Sequence, residues 1–405
     1  MKFPFKAFLS ILFVVLPSAD ASPLRRDTGK ATLSFAARVN ARGAVNVADA
    51  DRARAQAMKQ AGSMGKRAGR SSFTIANGVV TYTAQVGIGS PATEYTLLID
   101  TGSSNTWLGA SAPYNPTSTS VDTGNTVSVS YGSGKFSGEE YTDTVTLSTG
   151  LVIAEQYIGV ASSADGFDGV DGILGVGPAD LTEGTVSNVN TVPTVTDNLY
   201  SQGIIGTETL GIYFVPPSVP DSAGELTFGG HDGSKTTSSV TYFPLTTTTP
   251  ASYYWGIDQS ISYGHSTILS ETAGIVDTGT TLILIASDAL SKYQTATGAT
   301  MDETTGLLMI TSGQYDKLKT LTFKIGGQAY GLTPNAQIWP RSLNADIGGA
   351  SDSIYLIVGD IGSNSGSGLD FINGYAFLQR YYSVFDTTNN QVGFATTPHT
   401  DATCN

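Results

Sequence analysis

The sequence predicts an all-β fold of two similar lobes, and three observations carry that reading. From Phe73 onward apolar residues recur at alternate positions; in residues 79–86 the alternation places Tyr82, Ala84 and Val86 on one face. Turn formers punctuate the chain at short intervals, with 47 glycines and many Ser/Thr pairs. One motif occurs twice: Leu97-Leu98-Ile99-Asp100-Thr101-Gly102-Ser103-Ser104 returns as Gly274-Ile275-Val276-Asp277-Thr278-Gly279-Thr280-Thr281. A fainter echo follows each copy, Gly172-Ile173-Leu174-Gly175 and Phe371-Ile372-Asn373-Gly374. Two copies, not many, suggest two lobes facing each other rather than a repeat array.

The chain opens with Lys2 and Lys6, an apolar run over residues 8–16 and the small-x-small triplet Ala19-Asp20-Ala21. Residues 1–21 therefore read as a secretory signal peptide, too short to span a bilayer. Residues 22–71 are rich in Ala and Arg and end in Lys66-Arg67-Ala68-Gly69-Arg70, which reads as a pro-segment cut at the basic cluster. A solvated linker is the plainer alternative. The charge is divided along the same line. Of 21 basic and 34 acidic residues, 13 and 4 fall in residues 1–70, a net of +9 on a body of −22. A cationic leader on an anionic body points to the body itself as the leader's partner. The net of −13 argues against nucleic acid as a partner, since phosphates need a basic face.

No later run approaches the length of a membrane span and the tail is polar, so no membrane anchor is expected; a secreted protein is, with a vacuolar one second. Cys404 is the only cysteine, so no internal disulfide can form and about 330 residues must hold the fold by burial alone. Asn-x-Ser/Thr with x other than Pro does not occur. The body divides into a first lobe, residues 72–245, and a second, residues 246–405. Helices are few: residues 194–202 form a short one stopped by Gly203, and Ser287-Asp288 caps another ending near Gly298. Gly87-Ile88-Gly89-Ser90-Pro91-Ala92 mimics a dinucleotide fingerprint, but Pro91 and the β context make it a hairpin turn.

An aspartate directly after a buried apolar strand is costly unless satisfied. The glycine two residues on, Gly102 or Gly279, lets the backbone turn and bring N–H groups to the carboxylate, and Ser103 or Thr280 can donate to its outer oxygen. A single such loop is as well explained by an Asx-turn at a strand end. Two in matched positions, across a pseudo-twofold axis, would bring the carboxylates of Asp100 and Asp277 together, where they cannot both ionise and share one proton. A shared proton supplies an acid and a base in one site, which water-mediated amide hydrolysis requires. Three histidines and no His-Glu-x-x-His give no metal site; the acids Asp165, Asp168 and Asp171 lack calcium-loop spacing and read as loop polar groups; Gly-x-Ser-x-Gly does not occur. Paired carboxylates also serve glycosidases, the alternative enzyme class. An inactive homologue that only binds peptides is the alternative outside enzymes.

On the doubled Asp-Thr-Gly and the stretch Gly166-Phe167-Asp168-Gly169-Val170-Asp171-Gly172-Ile173-Leu174-Gly175-Val176-Gly177, residues 72–400 resemble the pepsin-like aspartic endopeptidases, and within them the secreted basidiomycete members. The resemblance implies a bilobal acid-protease fold with a cleft between β-barrel-like lobes, and a monomeric enzyme without cofactor or metal. It implies a zymogen held by its own pro-segment, polypeptide substrates, and sensitivity to pepstatin-type inhibitors. Asp100 and Asp277 match the catalytic pair, supported by Thr101, Gly102, Ser103, Thr278, Gly279 and Thr280. Tyr131-Gly132-Ser133-Gly134 matches the flap over the substrate, with Trp107 donating its indole N–H to Tyr131. Leu98, Tyr131, Phe167 and Ile173 match the pocket for the residue before the scissile bond. The chain has Asn373-Gly374-Tyr375 where many relatives carry Leu-Gly-Asp. Lys135 reads as solvated.

Overall fold

The computed structural model describes residues 30–39, 46–63, 73–74, 80–131, 133–219 and 223–405. The expected signal peptide, the basic cut site at 66–70 and Gly132 of the flap lie outside them.

The two lobes are built on one plan. In the first, the strand Thr93–Asp100 runs parallel to Gly172–Gly175, which pairs on its other edge with Trp107–Leu108. In the second, Ser266–Val276 runs parallel to Phe371–Asn373, which pairs in turn with Ile283–Ile285. The faint echoes of the sequence are thus the strands hydrogen-bonded beside each aspartate. They read as unbroken apolar runs because both faces are covered. Val80–Ile88 returns as Thr93–Asp100 with Ile88 opposite Thr93, so the glycine-rich stretch at 87–92 is the hairpin turn expected. Tyr82, Ala84 and Val86 are all buried.

Between the lobes, strands from far apart in the chain share one sheet. The hairpin Tyr381–Asp386 and Gln391–Thr396 pairs with Thr209–Tyr213 and Thr241–Pro244 of the first half. Ala31–Val39 from the leader is a full member of this sheet, antiparallel to Gly224–Phe228 over residues 31–35 and to Val80–Ile88 over 36–39. Its Leu33 and Phe35 are buried, Phe35 meeting Tyr82 and Phe214 edge-on.

Three helices matter below. Helix α1 (Val47–Ser63) belongs to the leader and opens with the Asn46 side chain accepting from Asp49 N–H. Its buried positions, 47, 48, 51, 54, 55, 57 and 58, are mostly spaced by three and four, so one broad face is covered. Helix α2 (Val195–Ser201) sits where expected, with a reciprocal cap between Thr194 and Asp197, and ends before Gly203 in the left-handed conformation. Helix α3 (Ser287–Thr297) ends at a left-handed Gly298, but the cap reading at its start is corrected: Ala286 is the cap and Ser287 is already helical. The Ser287 hydroxyl donates to Asp360 and the Asp288 carboxylate takes the N–H and hydroxyl of Ser365, so both side chains hold neighbouring loops instead.

One buried acid in the first lobe has no such partner. Glu140 lies on the long strand Ser133–Ser148, 2% exposed, and its Oε2 accepts no hydrogen bond. Burial pushes its carboxyl up to about 8. The folded value lies above the unfolded one of about 4.3, so its contribution to stability is complete at low pH. That contribution is lost as pH rises from there through about 8. We expect the chain to melt at lower temperature at pH 8 than at pH 5, and Glu140→Gln to shrink that difference. Calorimetry at both pH values checks it; an equal drop in the variant would clear Glu140.

Candidate functional site

Asp100 and Asp277 end the two apolar strands at the junction of the lobes, and both are completely buried. Each carboxylate is held the same way. Gly102 N–H donates to Asp100 Oδ1 at 3.0 Å and Ser103 Oγ to Oδ2 at 2.6 Å. Gly279 N–H donates to Asp277 Oδ1 at 3.0 Å and Thr280 Oγ1 to Oδ2 at 2.5 Å. The middle threonines lock the loops to one another: Thr101 N–H donates to Thr278 Oγ1 and Thr278 N–H to Thr101 Oγ1, both at 2.9 Å. The Thr278 hydroxyl donates in turn to the Ile99 carbonyl. The twofold symmetry inferred from the repeat is therefore present down to individual hydrogen bonds.

The glycines do more than turn the chain. A Cβ on Gly102 would lie 2.6 Å from Asp277 Oδ1, and one on Gly279 the same distance from Asp100 Oδ1. Each lobe lacks a side chain where the other lobe's carboxylate must pass.

Between the carboxylates stands a residue that the sequence reading did not single out. Arg54 of α1, itself buried, donates from Nε to Asp277 Oδ2 at 2.7 Å and from Nη2 to Asp100 Oδ1 at 2.7 Å and Asp277 Oδ1 at 3.0 Å. One nitrogen thus touches both aspartates. Burial raises both carboxyls and the guanidinium opposes it. For Asp277, which takes two of the three hydrogen bonds, the opposition wins and its pKa falls below the usual range; for Asp100, burial and the neighbouring Asp277 charge leave it raised. Arg54 is driven well above its ordinary value by the pair, against its own burial.

Three further contacts seat the helix. One turn before Arg54, Asp51 Oδ2 accepts Leu282 N–H at 2.7 Å; burial raises its carboxyl to about 7 despite that bond and the nearby Arg54 charge. The Met58 carbonyl accepts from Tyr254 OH, and Lys59 donates to Ser363 Oγ. The only sequence signal for these residues was the three-and-four spacing of positions 47, 48, 51, 55 and 58 in a stretch legible mainly as basic.

The flap residues close over one aromatic cluster. Tyr131 N–H donates to the Gly134 carbonyl at 2.7 Å, closing the tip of the hairpin between Val121–Ser130 and Ser133–Ser148. Leu98, Trp107, Tyr131, Phe167 and Ile173 all belong to this buried cluster. The expected hydrogen bond from Trp107 to Tyr131 is not formed. Trp107 is fixed face-on against Phe136, centroids 4.1 Å apart, and edge-on by Phe167, with the Tyr131 ring 6.2 Å away. Neither the indole N–H nor the phenol meets hydrogen-bond geometry, although Trp107 and Ser103 lie near enough to the phenol to oppose the rise that burial gives its pKa. Lys135 is exposed, and Asp171 accepts the N–H groups of Thr96 and Ala112 as a loop acid should. Asn373, in the echo beside Asp277, is wholly buried and exchanges two hydrogen bonds with the amide of Gln259. Among the described residues no cluster of His, Cys, Asp or Glu could hold a metal ion, and no helix is long and apolar enough to cross a membrane.

Two buried carboxylates this close, pushed to opposite pKa values, can hold one proton and act together as acid and base once the guanidinium is gone. Comparison with known proteins agrees with that chemistry. Residues 81–397 match the family model described as eukaryotic aspartyl protease. The chain is 63% identical over 333 residues to polyporopepsin of the fungus Irpex lacteus, covering 81% of this chain and 98% of that one. It is 32% identical over 329 residues to pepsin A of Sus scrofa, covering 78% and 80%. A solved structure, the aspartic proteinase from Irpex lacteus, superposes with a TM-score of 0.78 over 80% of this chain and 96% of that one.

Proposed function

Because the chain belongs to the eukaryotic aspartyl proteases and is a pepsin-like aspartic endopeptidase, we propose that it is made as a secreted zymogen whose leader, residues 22–71, blocks the cleft until acid releases it. The observation that carries this reading is the Arg54 guanidinium forked between Asp100 and Asp277. A site so filled has no room for a substrate carbonyl or for a water between the aspartates, and the guanidinium works against protonation of either carboxylate.

With the helix gone, Asp100 and Asp277 hold a water between them. The ionised carboxylate takes the water's proton as its oxygen attacks the peptide carbonyl carbon. The protonated one donates to the carbonyl oxygen, and collapse of the tetrahedral intermediate passes a proton to the leaving amine. Ser103 and Thr280 keep the outer oxygens hydrogen-bonded, so each carboxylate presents its inner oxygen to the reaction. The flap, Tyr131 through Gly134, covers the substrate, and the lobes meet near residues 245 and 246. The test is hydrolysis of unfolded haemoglobin or casein by acid-treated protein and its arrest by a pepstatin-type transition-state mimic. Protein that stays inert after its leader is removed would refute the reading. Release of reducing sugar from polysaccharides would favour a glycosidase.

Substrate preference follows from the cluster around Trp107. Leu98, Tyr131, Phe167 and Ile173 offer only apolar and aromatic surface, so burying Phe, Leu or Met before the scissile bond gains about 1.5–3 kcal/mol. A lysine there would lose water without a counter-charge, with the exposed Lys135 close to the flap tip. We expect cleavage after Phe or Leu at least about tenfold faster than after Lys. Profiling on a diverse peptide pool checks it, and equal cutting after Lys would overturn the pocket.

A further inference from the structure

Helix α1 leaves an imprint of charge on the second lobe that the dyad does not account for. Besides Arg54, it lays two cations along the wall formed by Val358–Asp360 and the loop after it. Arg52 Nε donates to the Asp360 carbonyl at 3.3 Å and lies 4.0 Å from Asp360 Oδ2. Lys59 reaches Ser363 Oγ; its burial lowers its pKa, while the charges of Asp370 and Asp360 work against that.

Two acids beside this wall are held ionised by their own donors. Asp370 accepts from Thr272, Gly366 and Ser367, and these bonds outweigh burial to hold its carboxyl below the usual range. Asp288 is lowered first by the Ser365 N–H and then by its hydroxyl. Asp360 spends Oδ1 on the Ser287 hydroxyl and Gly362 N–H, which fixes the carboxylate and leaves Oδ2 facing Arg52. The other cation of the described residues at this wall is Lys292, which lies beside Asp288.

We propose that in the mature enzyme Asp360 and the Ser363 hydroxyl form a cation-accepting subsite on the second lobe's wall of the cleft, taking a lysine or arginine side chain of the substrate away from the scissile bond. The proposal rests on α1 leaving the cleft of a peptidase. Arg52 and Lys59 are then stand-ins for substrate side chains, as Arg54 is for the reacting group. The site is distinct in chemistry from the apolar pocket at Trp107, so the enzyme rejects a base before the scissile bond and favours one elsewhere.

The test uses the mature enzyme and peptides that carry an apolar residue on each side of the cut, with arginine or its neutral isostere citrulline at each other position in turn. At one position arginine should raise kcat/KM about threefold to fivefold over citrulline, an effect that fades in salt. Asp360→Asn keeps Oδ1 for Ser287 and Gly362 but should bring that ratio to about one. An arginine-to-citrulline ratio near one at every position, or one unchanged by Asp360→Asn, overturns the subsite. Failure to cut the citrulline peptides at all would instead overturn the peptidase reading on which it rests.

Discussion

Replacing Asp277 by asparagine should all but abolish peptide hydrolysis, lowering kcat by up to about 10⁴-fold, and Asp100→Asn should do the same. An amide in either position cannot take a proton from water or share one with its neighbour, while its oxygen can still accept the glycine N–H and its NH2 can donate to the hydroxyl, which turns to accept. The fold should survive, because the loops are also held by the reciprocal bonds of Thr101 and Thr278. The measurement is turnover of a fluorogenic peptide after the leader is removed by an added protease, with a melting curve beside it. Near-normal turnover in either variant would eliminate the shared-proton mechanism.

Arg54→Ala should release latency. The substitution leaves two buried carboxylates without their counter-charge, and breaking a buried pair in this way costs about 3–5 kcal/mol, or on the order of 10²–10³-fold in the docking of α1. The acid dependence has two limbs. The Arg54 bond lowers Asp277, so the docking it contributes is present at neutral pH and lost as pH falls through that depressed value. Asp51 has the opposite sign. Docked, its pKa is about 7 against about 3.9 when free, so its contribution is complete in acid and lost as pH rises through 7. The leader should therefore hold through mild acidity and let go only below the ordinary carboxylate range. Full-length Arg54→Ala is expected to cut peptide at pH 6 without acid treatment, where the unaltered chain does not. Arg54→Lys, with the charge but not the fork, should fall between. A variant as latent as the parent would show that the guanidinium is not the block.

What the sequence disclosed and what it concealed divide along physical lines. The doubled Asp-Thr-Gly was legible because a buried acid must bring its own donors, and those donors lie within three residues of it. Alternation and turn residues likewise report local geometry, which is why the hairpin at 87–92 and helix α2 could be placed. Contacts between distant segments left no such trace. Nothing near Arg54 says that it meets residues 46 and 223 positions away, and nothing near Asn373 says that Gln259 will pair with it. The Ser287 cap failed for the same reason: its hydroxyl was claimed by Asp360, far along the chain. Trp107 was placed in the right cluster, but its plane is set by Phe136, whose stacking no motif records.

The leader strand Ala31–Val39 has a consequence for the life of the molecule after cleavage. Its backbone groups bond to Gly224–Phe228 along one part of its length and to Val80–Ile88 along the rest, so it is the seam that joins the two sides of the central sheet. Cutting the chain beyond α1 separates that seam from the body covalently. If the proposed cleavage occurs, a mature molecule that later unfolds must rebuild the sheet from a chain that no longer contains the nine residues that bridge its two sides. Its persistence in use is then a matter of how slowly it opens rather than how favourably it closes. On the proposed cleavage, the cut that arms the enzyme would also remove a strand of its sheet, and the shelf life of the mature form would be set by the barrier to opening.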